Sequence, residues 1–236
     1  MIRFTWHGHA TIEIVTEDGT RLLIDPFLTD NPKATVGPEH FHDRLDYLLL
    51  THGHFDHVGD TWGLLEKTGA TLIGSVELCS YAENVRGWGD SHGLSIGGGH
   101  EFPFGRLKLT PALHGGNIDR LDSDDADGFS CPPSGFLLHL DGIRLYVAGD
   151  TALTWDMELL EDRVDIAVLP IGDNFTMGPE DAARAAEMIK PRVVVPVHYD
   201  TWPPIEQDTA HFRSLVEPRS DVLVLAPGET HEFKFN

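Results

Sequence analysis

The sequence predicts an α/β protein, a four-layer αββα sandwich built from two similar halves, on three observations. A hairpin-like pair of strands occurs twice, and each pair closes on an aspartate. Each pair is followed, in the same order, by an apolar strand, a polar loop, a helix and another strand. The apolar strands are continuous runs such as Tyr47–Leu50 and Val193–Val195, the pattern of sheets covered on both faces.

In residues 10–25, ATIEIVTEDGTRLLID, two β-rich runs are joined by Glu17-Asp18-Gly19-Thr20, a hairpin signal. Residues 135–150, GFLLHLDGIRLYVAGD, repeat the plan around Asp141-Gly142. The first hairpin ends at Asp25 and the second at Asp150. Next come Leu45–Leu50 followed by THGHFDH, and Val164–Pro170 followed by IGDNFTMG. Helices are predicted from Asp60 to Thr68 and from Pro179 to Ile189. The second has proline near its start and Ala182, Ala185, Ala186 and Ile189 at helical spacing. Strands at 70–75 and 192–200 complete the two units. One domain spanning 1–236 is expected, with halves of about 1–105 and 106–236 meeting near the turn-rich GGGHEFPFG.

A chain of 236 residues, 41% hydrophobic and 23% charged, has the composition of a globular domain with a sizeable core. It contains no apolar run long enough to span a membrane. The N-terminal MIRFTWHGHATIEIV alternates like a strand and lacks the features of a secretory leader, so a cytoplasmic location is expected. The two cysteines, Cys79 and Cys131, are expected to be free thiols. The net charge of −21 repels phosphate backbones, which disfavours nucleic-acid binding and leaves a small molecule as the expected substrate. Asp122, Asp124, Asp125 and Asp127 are expected to form an exposed loop, because a calcium loop's central glycine and terminal glutamate are missing.

THGHFDH puts His52, His54, Asp56 and His57 directly after an apolar strand. Imidazole and carboxylate are ligand types of zinc, manganese and iron. One loop cannot complete two coordination spheres. His114, Asp150 and His198 each follow a further apolar run, where loops of a sandwich cluster. A consistent arrangement puts His52, His54 and His114 on one metal and Asp56, His57 and His198 on a second. Asp150 then bridges, since a carboxylate has two oxygens.

The pattern resembles the metallo-β-lactamase superfamily in THGHFDH, the His114 turn, AGDT at 148–151 and PVHYD at 196–200. IDPFLTDNP, THGHFDHVGDT, PIGDNFTMGPEDA and VHYDTWPPIEQD look, more narrowly, like a group of uncharacterised metal-dependent hydrolases related to the ascorbate-6-phosphate lactonases. The resemblance implies the sandwich fold, seven filled ligand positions and two divalent metals, with zinc, manganese and iron all open. A homo-oligomer is a further expectation at the level of the family.

The expected chemistry is hydrolysis of a small lactone, ester, amide or phosphodiester by a hydroxide held between two cations about 3.5–4 Å apart. Asp56 is expected to be both ligand and proton shuttle. Asp25 is the leading residue to hold an imidazole in place, followed by Asp46 and Thr51. Asn174, Phe175, Thr176 and Met177 are expected at the mouth, with Asn174 and Thr176 on substrate and Asn174 able to donate to an oxyanion. His92 is assigned to the substrate pocket or a subunit contact. His7 and His9 either reach the pocket rim or pack as a pair at a strand end. His40, His42, His100, His139, His211 and His231 show no ligand context. Trp88, Trp155 and Trp202 are expected to pack loops. A nuclease of the same superfamily is the main alternative, weakened by the acidic charge. A di-iron oxidoreductase would need a redox module, and a purely metal-binding protein would need a closed site.

Overall fold

A computed structural model describes residues 1–118, 129–217 and 219–235. The aspartate run from Asp122 to Asp127 lies outside the described residues. The chain first lays down β1 (Ile2–Trp6), β2 (Ile12–Val15), β3 (Arg21–Ile24), β4 (Tyr47–Leu49), β5 (Thr71–Ser75) and β6 (Ser91–Leu94). It then forms β7 (Gly99–Phe102), β8 (Gly105–Pro111), β9 (Ser134–Leu140), β10 (Ile143–Val147), β11 (Ile166–Pro170), β12 (Val193–Val197) and β13 (Asp221–Val222), and ends with β14 (Thr230–Phe233). The helices are α1 (Phe55–Val58), α2 (Thr61–Thr68), α3 (Val76–Asn84), α4 (Pro179–Ile189) and α5 (Thr209–Val216).

The strands make two seven-stranded mixed sheets, ordered β14-β1-β2-β3-β4-β5-β6 and β13-β12-β11-β10-β9-β8-β7. β3 to β6 run parallel, as do β10 to β13, while the hairpin strands pair antiparallel. The two sheets therefore follow one plan, with β14 in the place that β7 holds in the other. Their assignment refines the expected halves. The change of sheet falls between Leu94 and Gly99, so β7 already belongs to the second sheet. β14 returns from the C-terminal end to the first sheet, beside β1. Sequence periodicity did not show this return, since a four-residue strand carries no mark of the sheet it joins.

Alternation decides which side chains meet between the sheets. Phe4, Ile12, Ile14, Leu22 and Ile24 of one sheet join Leu107, Leu109, Phe136, Leu138 and Leu145 of the other in a single buried cluster. α4 covers the second sheet's outer face with Ala182, Ala185 and Ile189, and α5 adds Phe212 and Val216. On the first sheet's outer face, Trp62, Leu64 and Leu65 of α2 and Leu78 and Tyr81 of α3 pack over Leu23, Leu48 and Leu72. The helices are thus the outer two layers of the four.

Local sequence explains the ends of these elements. Asp141 and Gly142 both adopt positive φ (50° and 77°), the pair of left-handed residues that a two-residue hairpin loop requires. α4 starts with Pro179 after Gly178 and places Glu180 and Asp181 in its first turn, where carboxylates complement the helix dipole. Ser75 caps α3 by accepting a hydrogen bond from Leu78 N. Among the described residues no helix is long and apolar enough to cross a membrane. Cys79 and Cys131 are free and buried.

Candidate metal centre

β4 delivers Thr51 and His52, and the chain then turns at His54 into α1, a single helical turn. That turn sends Asp56 and His57 in different directions from His52 and His54. The sequence pattern placed all four on one loop without the helix. Thr51, His52 and His57 are completely buried, and the Asp56 side chain is 13% exposed.

Asp25 organises the floor of the site. Its carboxylate accepts hydrogen bonds from Thr51 N (2.8 Å) and Thr51 Oγ1 (2.6 Å), and lies 2.8 Å from His57 Nδ1. An ionised carboxylate only accepts, so His57 Nδ1 carries the proton and Nε2 faces the site. Thr51 Oγ1 spends its one hydrogen on Asp25 and therefore accepts from His52 Nδ1, 3.1 Å away. One carboxylate thus fixes the orientation of two imidazoles. Asp25 holds φ at 48°, a left-handed conformation that brings the carboxylate under the loop. Asp46 lies elsewhere, accepting from Arg21 N and Arg44 Nε.

Nitrogen and oxygen donors converge above this floor in three overlapping groups: His52, His54 and His114; His52, His57 and Asp150; and His9, Asp56, His57 and His198. Within each group the donor atoms lie within 4.8 Å of one another. His52 Nε2 is 2.9 Å from His54 Nδ1. Asp150 Oδ2 is central, 3.1 Å from His198 Nε2, 3.3 Å from His57 Nε2 and 3.5 Å from His114 Nε2. His57 Nε2 and His198 Nε2 are buried without a hydrogen-bond partner among the described residues. Buried, unpartnered imidazole nitrogens beside carboxylates are a donor set that fits divalent cations.

The electrostatics follow from burial and from this crowding. Burial alone would lower the His57 pKa, but Asp150, Asp25 and Asp56 outweigh it and hold the imidazole well above its usual value. The same competition, led on the raising side by Asp150, pushes His198 up to about 9. Burial would raise Asp150, yet His198 and His57 hold it well below the usual carboxylate range. Asp56 is held down in the same way by His57, His198 and His9. Burial and neighbouring His57 bring His52 well below its usual value, and burial also lowers His114.

His9 is the residue that sequence reasoning left undecided. Gly8 (φ 95°) and His9 (φ 54°) form a tight turn between β1 and β2, closed by His7 N to Thr11 O and Thr11 N to Gly8 O. This turn swings the ring into the site, where its centre lies 3.9 Å from that of the His198 ring, the two planes tilted by 44°. Burial and His198 lower its pKa to about 4, so the ring is neutral near neutral pH. Nε2 therefore donates to Asp56 Oδ2 at 3.0 Å, and Nδ1 accepts from Thr201 Oγ1 at 2.8 Å. With both nitrogens engaged, His9 positions Asp56 and is not a free donor. The legible signal was the glycine before it. His7 is no partner to His9; it faces the opposite side of the sheet and meets Glu13.

The donors open into a cavity of about 420 Å³ lined by His54, Phe55, Asp56, His114, Asp150, Phe175, His198, Trp202 and Pro204. Several expectations for the mouth are corrected here. Phe175 lines the cavity, whereas Asn174 points to solvent and the Thr176 hydroxyl donates to Met177 O. Met177 is buried. His92 sits on β6, with its ring against His100 and Phe102, and does not line the cavity. Trp202 packs on His9, Phe27 and Phe55 and also forms part of the wall. Trp155 is 76% exposed.

The family described as "Beta-lactamase superfamily domain" matches residues 20–199, which include the whole donor set except His9. The chain belongs to this superfamily. A UPF0173 metal-dependent hydrolase of Heliobacterium modesticaldum is 46% identical, over 98% of this chain and 97% of its own. Proteins of known structure share the architecture. Igni18, a metallo hydrolase from the archaeon Ignicoccus hospitalis, superposes with a TM-score of 0.87 at 32% identity, covering 100% of this chain and 99% of its own. An isothiocyanate hydrolase from Delia radicum gut bacteria gives 0.75 at 22% identity, over 99% and 100% of the two chains, a likeness of fold. This beta-lactamase superfamily chain is thus a member of a metal-dependent hydrolase family.

Proposed function

We propose that the protein hydrolyses a small molecule with an apolar body, an ester, lactone or phosphodiester, at a centre for two divalent metals. His52, His54 and His114 would hold one metal and Asp56, His57 and His198 the other, and Asp150, placed between the two groups, would serve both. The observation that carries this reading is the place of Asp150 Oδ2, within 3.5 Å of Nε2 atoms from His57, His114 and His198. A carboxylate shared by both histidine groups suits a bridging ligand. When bound, zinc, manganese or iron would supply Lewis acidity and would activate water for attack near neutral pH.

The chain's own groups supply the rest. His9 orients Asp56 from one side, so that Asp56 is aimed into the cavity as an ionised acceptor. It takes a proton from the attacking water and passes it to the leaving group. Asp25 and Thr51 hold His52 and His57 with Nε2 toward the ions. Phe55, Phe175, Trp202 and Pro204 form a wall that suits an apolar group and excludes water. A net charge of −21, and a cavity lining that holds neither lysine nor arginine among the described residues, speak against a polynucleotide substrate.

The experiment is elemental analysis of the purified protein, combined with turnover of a panel of lactones, aryl esters and phosphodiesters. Two equivalents of metal per chain and turnover of at least one substrate are expected, with Asp56→Asn and Asp150→Asn folded but inactive. Full turnover by either variant, or a chain that takes up no transition metal, would overturn the reading.

A further inference from the structure

A second cavity, of about 490 Å³, lies on the outer face of the first sheet over β1, β2 and β3, under the segment that carries Thr35, Val36, His40 and Arg44. It shares no lining residue with the metal centre. α2 and α3 cover the far end of this face, over β4 to β6, and at this end only a single 3-10 turn, Pro38–Phe41, lies over the sheet.

The lining is unusual for so acidic a chain. It includes Arg3, Arg21 and Arg44, with His7 and His40, against a single carboxylate, Glu13. Glu13 is almost wholly buried and already engaged, with Oε1 accepting from Arg21 Nε and Oε2 lying 3.0 Å from His7 Nε2. Asp46, just outside the lining, pairs with Arg44 Nε at 3.2 Å, so three guanidinium groups meet two carboxylates and leave a net charge of one positive unit in a protein that carries −21 overall. Arg3 has no ion pair or hydrogen bond from its side chain among the described residues. His7 is only 2% exposed, and its Nδ1 is buried without a partner.

The fold does not by itself demand this lining. The second sheet has a counterpart cavity over β8, β9 and β10, lined largely by apolar groups such as Leu137, Tyr146, Met157 and Leu160. That lining also holds Lys108, Arg163 and Asp156, but the apolar groups outnumber them, so equivalent places in two sheets of one plan differ in polarity.

We propose that the cavity over β1–β3 is a second ligand site, which binds a small dianionic molecule of the phosphate class. A phosphate monoester carries about −1.5 to −2 charges and three acceptor oxygens, a partner for a cationic lining that offers guanidinium N–H donors. Arg21 is preorganised for the role: its Nε is held by Glu13 and its Nη1 by the carbonyls of His40 and Arg44, with its guanidinium 4.7 Å from the centre of the Phe41 ring. Arg3 and Arg44 reach in from the exposed rim. The volume exceeds that of an inorganic ion and suits a phosphorylated metabolite.

The test uses the full chain in two ways. Crystals soaked in tungstate should show an anomalous peak beside Arg3, Arg21 and His7. Calorimetric titration with pyrophosphate should show binding that weakens about tenfold or more in R3A/R44A, in line with the loss of charge-assisted hydrogen bonds. That variant changes two exposed side chains and should keep the parent's metal content and melting temperature. A His114→Ala variant, which alters the metal centre, should keep pyrophosphate binding at the second site. Tungstate found only at the histidine cluster, or pyrophosphate bound as tightly by R3A/R44A as by the parent, overturns the proposal.

Discussion

His9 Nε2 donates to Asp56 Oδ2 across 3.0 Å, joining the turn between the first two strands to the helical turn of the metal loop. Thr201 Oγ1, beyond β12, holds the other nitrogen of the same ring. Three distant segments are therefore locked through one imidazole. His9→Asn keeps a residue that tolerates the left-handed conformation but shortens the reach. The variant should lose about 10- to 100-fold in metal affinity or in turnover. Competitive chelator titration and kcat measurement check this, and wild-type values for both would show that the contact is incidental.

Asp25→Asn should be more damaging to stability. The carboxylate satisfies two groups of Thr51 and one of His57 in a fully buried place. An amide brings its own N–H groups against donors. A cost of about 1–3 kcal/mol is expected for the unsatisfied groups, with weaker metal binding as a second effect. Chemical denaturation of the metal-free protein reads the first effect alone.

Metal binding should strengthen as pH rises. His198 is pushed up to about 9 and His57 well above the usual imidazole value, so both hold protons in the metal-free site near neutrality. A cation must displace those protons, and the apparent affinity should increase about tenfold per pH unit for each proton released. The gain should end above about 9 for His198. The sign for stability is the opposite. The contribution of raised His198 to the metal-free fold is full below the ordinary imidazole pKa and is lost as pH climbs through about 9. Dissociation constants for zinc or manganese that stay flat between pH 6 and pH 9 would contradict the assignment of these histidines as ligands.

Gly53 is the small residue between the first two histidines of the loop. A Cβ there would meet Asn117 O at 2.7 Å and Ile118 Cα at 2.8 Å, both of them main chain. Gly53→Ala should push away the segment that follows His114 and lower the amount of metal retained through purification. Elemental analysis decides it, with wild-type stoichiometry as the contrary result.

Much of this centre was legible because metal-ligand chemistry restricts residue type. Only a few side chains suit a divalent cation, and HxHxDH with His114, Asp150 and His198 at strand ends stood out on those grounds. His9 escaped because its role depends on a turn geometry set by Gly8, which spacing alone does not reveal. Phe175 and Asn174 were both expected at the mouth, and only Phe175 lines the cavity, because which of two adjacent side chains faces inward depends on backbone rotation. His92 lies on an edge strand against His100 and Phe102, away from the cavity, which leaves a subunit contact as the other part of its reading. The fold was readable because two long, parallel runs of apolar periodicity repeat in order. The destination of β14 was not.

Phe175 gives the most direct probe of substrate chemistry. Its ring is 53% exposed at the cavity mouth, free to cover part of a ligand. Phe175→Ala should raise KM about fivefold for an apolar substrate, as expected for about 1 kcal/mol of lost contact, and leave kcat near its parent value. A fall in kcat at unchanged KM would place the ring in the reaction itself.

The return of β14 has a consequence for biosynthesis. Gly228 N bonds to Trp6 O and Trp6 N to Glu229 O, so the end of β1, two residues before the His9 turn, is clamped by a segment made long after it. The sheet that begins first is completed after its partner. A nascent chain that has reached only β12 holds every THGHFDH residue but lacks the outer strand beside β1, so a settled His9 turn must await synthesis of β14.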